Sequence, residues 1–114
     1  FVTSSPRFKA SALLVRAVRP TMGIKEMSEN RGTSILTQLA SGPGKLCQAL
    51  SINSKSNGID LTATRSKIRV LDNRESPKVK TSARIGITRA TEKMWRFYNE
   101  TSPFVSRSNF KGET

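Results

Sequence analysis

The spacing of apolar positions changes character along the chain. In the first half, Ile24 and Met27 recur at i, i+3, which predicts a short helix from a Thr21 cap to about Asn30. Apolar residues within 35–39 make a second short helical face. The second half instead alternates basic and apolar residues with the period of a strand.

The clearest helix is predicted over residues 42–50. Ser41 or Gly42 can serve as its cap, and Pro43 suits the first helical position because the missing N–H would have no intrahelical acceptor there. The residues that share its apolar face are Leu46, Cys47 and Leu50.

Lys45 occupies the first turn of that predicted helix, where the helix dipole favours an anion rather than a cation. Backbone N–H groups together with a Lys side chain form a phosphate site. A solvated Lys on an amphipathic core helix is an equally good interpretation of the local pattern.

An apolar run over residues 12–18 predicts a strand covered on both faces, and Arg16 interrupts it. A charge buried in a strand costs several kcal/mol unless it is paired or faces a polar cavity. Arg16 therefore either forms an edge salt bridge or points into an active-site cleft. The local pattern favours the salt bridge.

Two basic strands are predicted in the second half, over residues 65–70 and 78–87. In each strand the cations alternate with the apolar residues, so the cations lie on one face and the apolar residues on the other. Two such strands side by side would form a positive sheet surface over a small core. A solvated face is the simpler alternative, but Lys and Arg outnumber Asp and Glu enough here to favour polyanion binding. Gly86 indicates a bulge or a close backbone approach by a ligand. The aromatic residues within 95–98 are predicted to be core.

Composition narrows the class of partner. The 114 residues carry a net charge of +12, which indicates nucleic acid first and an anionic membrane surface second. No apolar run approaches the ~20 residues of a membrane span, and no signal peptide is recognisable, so we expect a cytoplasmic, nucleoid-associated or nuclear protein that is not secreted. With no His and one Cys, the usual zinc ligands are missing and we expect no metal or cofactor.

Four ordered stretches resemble the alkyladenine (3-methyladenine) DNA glycosylase family, the class without a helix-hairpin-helix. The first two are Leu13-Leu14-Val15-Arg16-Ala17-Val18-Arg19-Pro20 and Gly42-Pro43-Gly44-Lys45-Leu46-Cys47-Gln48-Ala49-Leu50. The other two are Ala83-Arg84-Ile85-Gly86-Ile87 and Trp95-Arg96-Phe97-Tyr98 with Ser102-Pro103-Phe104-Val105-Ser106. Met94 departs from the family, which usually has Pro there.

The resemblance implies a role for several residues. Enzymes of this family flip a damaged purine out of duplex DNA, and a Glu general base activates the water that attacks the sugar. Arg16 matches the Arg that holds this water, and Ile85 matches the residue whose backbone carbonyl contacts it. Gly86 keeps that approach open. Lys45, Gly42 and Gly44 match the phosphate-contacting segment, and Arg31 is a second, less distinctive phosphate contact.

The resemblance covers only the C-terminal part of the family pattern. The family's Glu base, its wedge Tyr and its pocket His and Tyr have no match here, so we expect a truncated chain that cannot excise bases by itself. The expected fold class is α+β, one domain over 1–114, with a curved mixed or antiparallel sheet, short flanking helices and a missing N-terminal portion. Residues 1–106 are expected to be ordered and 107–114 to form a tail.

The expected partner is double-stranded DNA that contains a damaged purine, bound by a monomer. Charge alone supports an alternative, a non-enzymatic basic nucleic-acid-binding module of ribosomal or architectural type. A third hypothesis is a stand-alone binder that descends from the glycosylase and has lost the chemistry.

Overall fold

The computed structural model describes residues 2–4 and 10–106, and it groups the chain into two compact units. The helical unit comprises Phe1–Ser51 together with Pro103–Thr114, and the hairpin unit comprises Ile52–Ser102. Helices and antiparallel strands are both present, so the fold class is α+β, as expected. The tail expected over 107–114 lies outside the described residues.

The helical unit begins with two short strands, β1 (Val2–Ser4) and β2 (Ala10–Ala12), which pair antiparallel. Helix α1 (Ile24–Arg31) and helix α2 (Pro43–Ala49) follow, with a 3-10 turn at Leu36–Gln38 between them. All three helical segments lie where the apolar spacing predicts them.

Glycines mark both ends of α1. Gly23 precedes the helix with φ 72°, and Gly32 follows it with φ 68°, while the Gly32 N–H donates to the Ser28 carbonyl at 2.8 Å. Only glycine enters this left-handed region without steric cost. The cap of α1 is therefore Gly23, which makes no side-chain cap bond, rather than the expected Thr21.

The core of the helical unit lies between α1 and α2. Met27, Leu39 and Ala49 form one buried cluster, and Leu39 is fully buried. Leu46 is also buried, whereas Leu50, expected on the same face, is half exposed because it lies past the end of α2.

The hairpin unit contains a 3-10 turn at Ser54–Ser56 and two strands, β3 (Val79–Ser82) and β4 (Arg96–Asn99). The strands pair antiparallel with Thr81 opposite Phe97, and the Glu100 N–H extends the ladder by donating to the Lys78 carbonyl at 3.1 Å. Among the described residues there are thus two separate two-stranded sheets, and both pair antiparallel, in line with the expected antiparallel sheet.

The strand predicted over 12–18 is wrong beyond Ala12. Residues 13–20 have no regular secondary structure, and Leu13 and Leu14 are half exposed or more. Their apolar character predicts a strand only if another strand pairs with them. This segment is anchored instead by a ladder-like bond from the Val18 N–H to the Ala40 carbonyl at 3.1 Å, together with other contacts.

The strand predicted over 65–70 is also wrong, because local turns replace it. Asp60 accepts from the Thr62 N–H at 2.8 Å, the Arg69 guanidinium donates to the Thr64 carbonyl at 3.1 Å, and the Val70 N–H reaches Leu61. Side chains that bond nearby backbone groups compete in this way with a strand ladder.

The aromatic side chains of the hairpin unit are more exposed than expected. Trp95 is 58% exposed and Phe97 is 68% exposed, so the prediction that they are core is wrong for both. In the part of the chain that the structure describes, no helix has the length and apolar character needed to cross a membrane.

Candidate nucleic-acid interface

Arg31 ends α1 and links it to the rest of the helical unit. Its Nε donates to the Leu39 carbonyl at 3.1 Å, its Nη1 to the Gln48 side-chain oxygen at 2.7 Å, and its Nη2 to the Gln38 carbonyl at 3.2 Å. Three of the five guanidinium N–H groups are therefore engaged within the protein. The side chain predicted to meet a phosphate is used to hold α2 and the 3-10 turn against α1.

The neighbouring residue strengthens the same link. The Asn30 amide nitrogen donates to the Ala49 carbonyl at 2.9 Å and to the Ser51 hydroxyl at 3.2 Å. The last carbonyls of a helix have no intrahelical donor, so Asn30 satisfies one that α2 would leave unpaired. Asn30 and Arg31 together fix the orientation of α2, and hence the direction in which its first turn points.

The first turn of α2 carries the predicted phosphate site. Gly42 is the cap in an extended conformation, Pro43 is the first helical residue, and the Leu46 N–H donates to the Gly42 carbonyl at 2.8 Å. Lys45 is exposed, and a carbon of its side chain would lie 3.8 Å from a Cβ placed on Gly42. The predicted cap and the predicted position of Pro43 as the first helical residue are both confirmed, and the cap is Gly42 rather than Ser41.

Gly44 leaves its backbone open to solvent. A Cβ built on it would meet nothing within 4 Å, and its φ is not in the left-handed region. Neither packing within the protein nor backbone strain therefore requires a glycine there. Room beside first-turn N–H groups is what an approaching phosphate needs.

Arg16 lies in the irregular segment after β2 and is half-buried. Its Nε atom is buried and has no hydrogen-bond partner among the described residues, while its backbone carbonyl accepts from the Ser106 hydroxyl at 3.4 Å. No described carboxylate forms the edge salt bridge that the local pattern favours. A buried donor without an acceptor costs free energy, so an added acceptor such as water or a ligand oxygen would be favourable at this Nε.

Ile85 and Gly86 lie in a bend of the hairpin unit. Ile85 is half-buried, and Gly86 has φ 70° with no atom within 4 Å of a Cβ built on it. The bulge expected within a strand is instead a turn after β3 has ended, and the positive φ explains why glycine occurs here. The open space beside Gly86 leaves its backbone accessible.

Cations stack on the aromatic rings of the hairpin unit, a feature that the sequence analysis missed. The Arg84 guanidinium lies 5.1 Å and the Lys93 ammonium 5.6 Å from the Trp95 ring centre. Arg84 also donates to the Arg89 and Ala90 carbonyls at 2.9 and 3.2 Å, which closes the turn after Gly86. The alternation of basic and aromatic residues in 93–98 was the available signal.

The positive sheet surface predicted from the alternation of basic and apolar residues is partly neutralised. Lys78 and Lys80 both lie near the Glu100 carboxylate, at 3.6 and 3.4 Å, and all three side chains are substantially exposed. Exposed pairs of this kind contribute little stability. They reduce the local positive potential without fixing the strands.

The model of the methylpurine-DNA glycosylase family matches residues 1–103. The chain is 45% identical over 97 residues to an Agrobacterium fabrum protein provisionally named 3-methyladenine DNA glycosylase, a match that covers 85% of this chain and 49% of the relative. A Rhodopseudomonas palustris protein with the same provisional name is 41% identical, covering 93% and 50%. One from Prosthecochloris aestuarii is 34% identical, covering 95% and 52%.

This chain belongs to the methylpurine-DNA glycosylase family. The resemblance carried by the four ordered stretches is thereby confirmed. The chain spans about half the length of the curated relatives it matches.

Proposed function

We propose that this chain supplies the DNA-gripping and water-positioning part of a base-excision-repair glycosylase that removes alkylated or deaminated purines from duplex DNA. The observation that carries the proposal is the family match over residues 1–103. The net charge of +12 supports a polyanionic partner independently of the family.

Lys45 and the first turn of α2 are the proposed phosphate contact. Lys45 is exposed, Gly44 leaves room for a close approach, and first-turn N–H groups attract anions. Arg31 has a different role in this proposal. Because its guanidinium already donates to three acceptors, it positions α2 and adds only its positive field at the DNA.

Arg16 and the Ile85 carbonyl are the proposed water-positioning groups. The Arg16 Nε has a free donor, which supports a role in binding an oxygen atom. In the family reaction a Glu carboxylate takes a proton from the water, the water oxygen attacks the anomeric carbon, and the bond to the purine breaks. The resemblance assigns this Glu to a segment that the 114 residues do not match.

An excision assay tests whether the isolated chain is inactive. The 114-residue polypeptide is incubated with a duplex that contains hypoxanthine or 3-methyladenine, and released base is measured. We expect no release, because none of the 114 residues matches the general-base Glu of the family, whereas the full-length Agrobacterium relative serves as the positive control. Multiple turnovers by the isolated chain would refute this part of the proposal.

A salt titration tests the phosphate contact. Duplex affinity should fall with salt, and the Lys45→Ala variant should reduce the log–log slope by about 0.9, the value for one phosphate. Lys25→Ala, which removes an exposed Lys from α1, is the matched control and should change the slope less. Equal slopes for Lys45→Ala and the wild-type chain would exclude Lys45 as a phosphate contact, and tighter binding to RNA than to duplex DNA would favour the non-enzymatic module instead.

A further inference from the structure

One face of the β3–β4 hairpin is largely apolar and exposed. The register places Val79, Thr81 and Phe97 on the same side, together with the half-buried Asn99 opposite Val79, and Trp95 precedes β4 with the same parity as Phe97. Val79 and Trp95 are each 58% exposed, and Phe97 is 68% exposed. We call Val79, Thr81, Trp95 and Phe97 the hairpin face.

The opposite side of the same hairpin is polar and internally satisfied. Arg96 stacks on Tyr98 at 4.3 Å and donates to the Ser82 hydroxyl at 3.1 Å, while Lys80 pairs with Glu100. A sheet with one polar and one apolar side buries the apolar one. The hairpin face is therefore the side of this sheet that we expect to pack against another layer.

The buried apolar side chains of the described residues lie elsewhere. They all fall within the helical unit, and they are Met27, Leu39, Ala40, Leu46 and Ala49. The hairpin unit contributes none among the residues that the structure describes. A two-stranded sheet is marginal in water unless a further strand or a packed layer supports it.

We propose that the hairpin face is the docking surface for the half of the family domain that lies outside the matched residues. The length of the relatives supports this occupant, because the chain covers only 49% to 52% of three of them. The inference rests on family membership and not on the proposed reaction.

The chemistry of the hairpin face defines what docks. Its centre is apolar, and its margin carries the two cations that stack on Trp95. A complementary polypeptide presents apolar side chains opposite Phe97 and carries acidic or neutral residues near Arg84 and Lys93. The excess of Lys and Arg over Asp and Glu in this chain, 20 against 8, disfavours a second copy of the chain as the occupant.

The single tryptophan of the chain provides a direct readout. The unmatched half of the Agrobacterium relative is co-expressed with the 114-residue chain, with any tryptophan in that half replaced by phenylalanine. We expect the two polypeptides to copurify, and the Trp95 emission to shift to shorter wavelength with less quenching by acrylamide. No DNA is present, so this result is independent of glycosylase activity.

Phe97→Ser tests the location of the interface. It should weaken the complex at least about tenfold, the effect of removing a central aromatic contact. Leu71→Ser is the matched control, since Leu71 is 75% exposed in the same unit but lies outside the hairpin, and it should leave affinity unchanged. A complex that tolerates Phe97→Ser as well as it tolerates Leu71→Ser would overturn the proposal.

A fused form removes the need for the separate half to fold alone. In a chimera, the 114 residues replace the matched half of the Agrobacterium relative, and Trp95 should again emit at shorter wavelength than in the free chain. An unshifted Trp95 in a folded chimera overturns the proposal. A concentration-dependent dimer of the free chain that Phe97→Ser abolishes would also overturn it. The same holds if single-stranded DNA quenches the Trp95 emission while Trp95 stays solvent-exposed in the chimera.

Discussion

The side chains of the two units make different kinds of contact. In the helical unit, Met27, Leu39 and Ala49 are buried together, and Arg31 donates three hydrogen bonds to the segments around them. In the hairpin unit, Phe97 remains exposed, and the contacts are those of the β3–β4 ladder, short-range turns, exposed ion pairs and cation–aromatic stacks.

The difference shows that basic side chains of this chain are used in two ways. Where apolar residues find partners inside the chain, a basic side chain such as Arg31 makes hydrogen bonds within the fold, although the family resemblance implied a phosphate contact for it. Where they do not, the same kind of residue stacks on an exposed ring, as Arg84 does on Trp95. A positive charge in the sequence therefore does not by itself distinguish the two roles.

The largest expected effect is a truncation in the helical core. Leu39→Ala should lower the free energy of unfolding of the helical unit by about 3 kcal/mol, because it leaves a cavity at a fully buried position. Phe97→Ala removes a larger side chain from the hairpin unit and should cost the isolated chain only about 0.5 kcal/mol, as at other exposed sites. Denaturant unfolding measured by amide hydrogen exchange separates the units. Equal costs for the two variants would contradict the comparison.

Next in size is the loss of the Arg31 hydrogen bonds. Arg31→Gln should destabilise the helical unit by about 2 kcal/mol, since several charge-assisted bonds disappear together. Exchange rates of the α2 amides are the measurement, and Lys25→Gln, an exposed change in the same helix, is the control. If Arg31→Gln is as stable as the wild-type chain but binds DNA more weakly, Arg31 is a phosphate contact rather than a positioning residue.

A smaller effect is expected at the end of α1. Gly32→Ala should cost about 1 kcal/mol, because alanine must adopt φ 68° although the space for its Cβ is free. Gly44→Ala is the control of opposite sign. It replaces a glycine in a helix with ordinary φ and should stabilise by about 0.5–1 kcal/mol. Thermal unfolding followed by circular dichroism measures both.

The smallest effect belongs to the turn around Asp60 in the hairpin unit. The Thr62 hydroxyl, and then the Thr62 N–H, donate to its carboxylate and hold the pKa below the ordinary 3.8. A lowered pKa in the folded state means that the stabilisation is full above pH 3.8 and is lost as the pH falls through the folded value. An NMR titration of the Asp60 carboxyl should show this, and Thr62→Val should move the pKa back up. A pKa that does not change in Thr62→Val would contradict the assigned cause.

Local sequence rules predicted the helical segments of the helical unit well. Gly42-Pro43 positioned α2 and the apolar spacing positioned α1, because each of these signals acts over a single turn. The strand predicted over 12–18 fails beyond Ala12, and the strand predicted over 65–70 does not form, because a strand forms only when another segment pairs with it. The exposure of Trp95 and Phe97 could not be predicted for the same reason: burial depends on what packs against a face.

For the candidate site, too, some features could be predicted from local sequence and others could not. Residue identities and their order were enough to indicate the family, and the presence of Lys45 in a first turn followed from Pro43 alone. The partners of the Arg31 guanidinium, the unpaired Nε of Arg16 and the stacks on Trp95 were decided only by the tertiary structure. Hydrogen bonds and ring contacts join residues that are far apart in sequence, and their geometry depends on packing that no local pattern encodes.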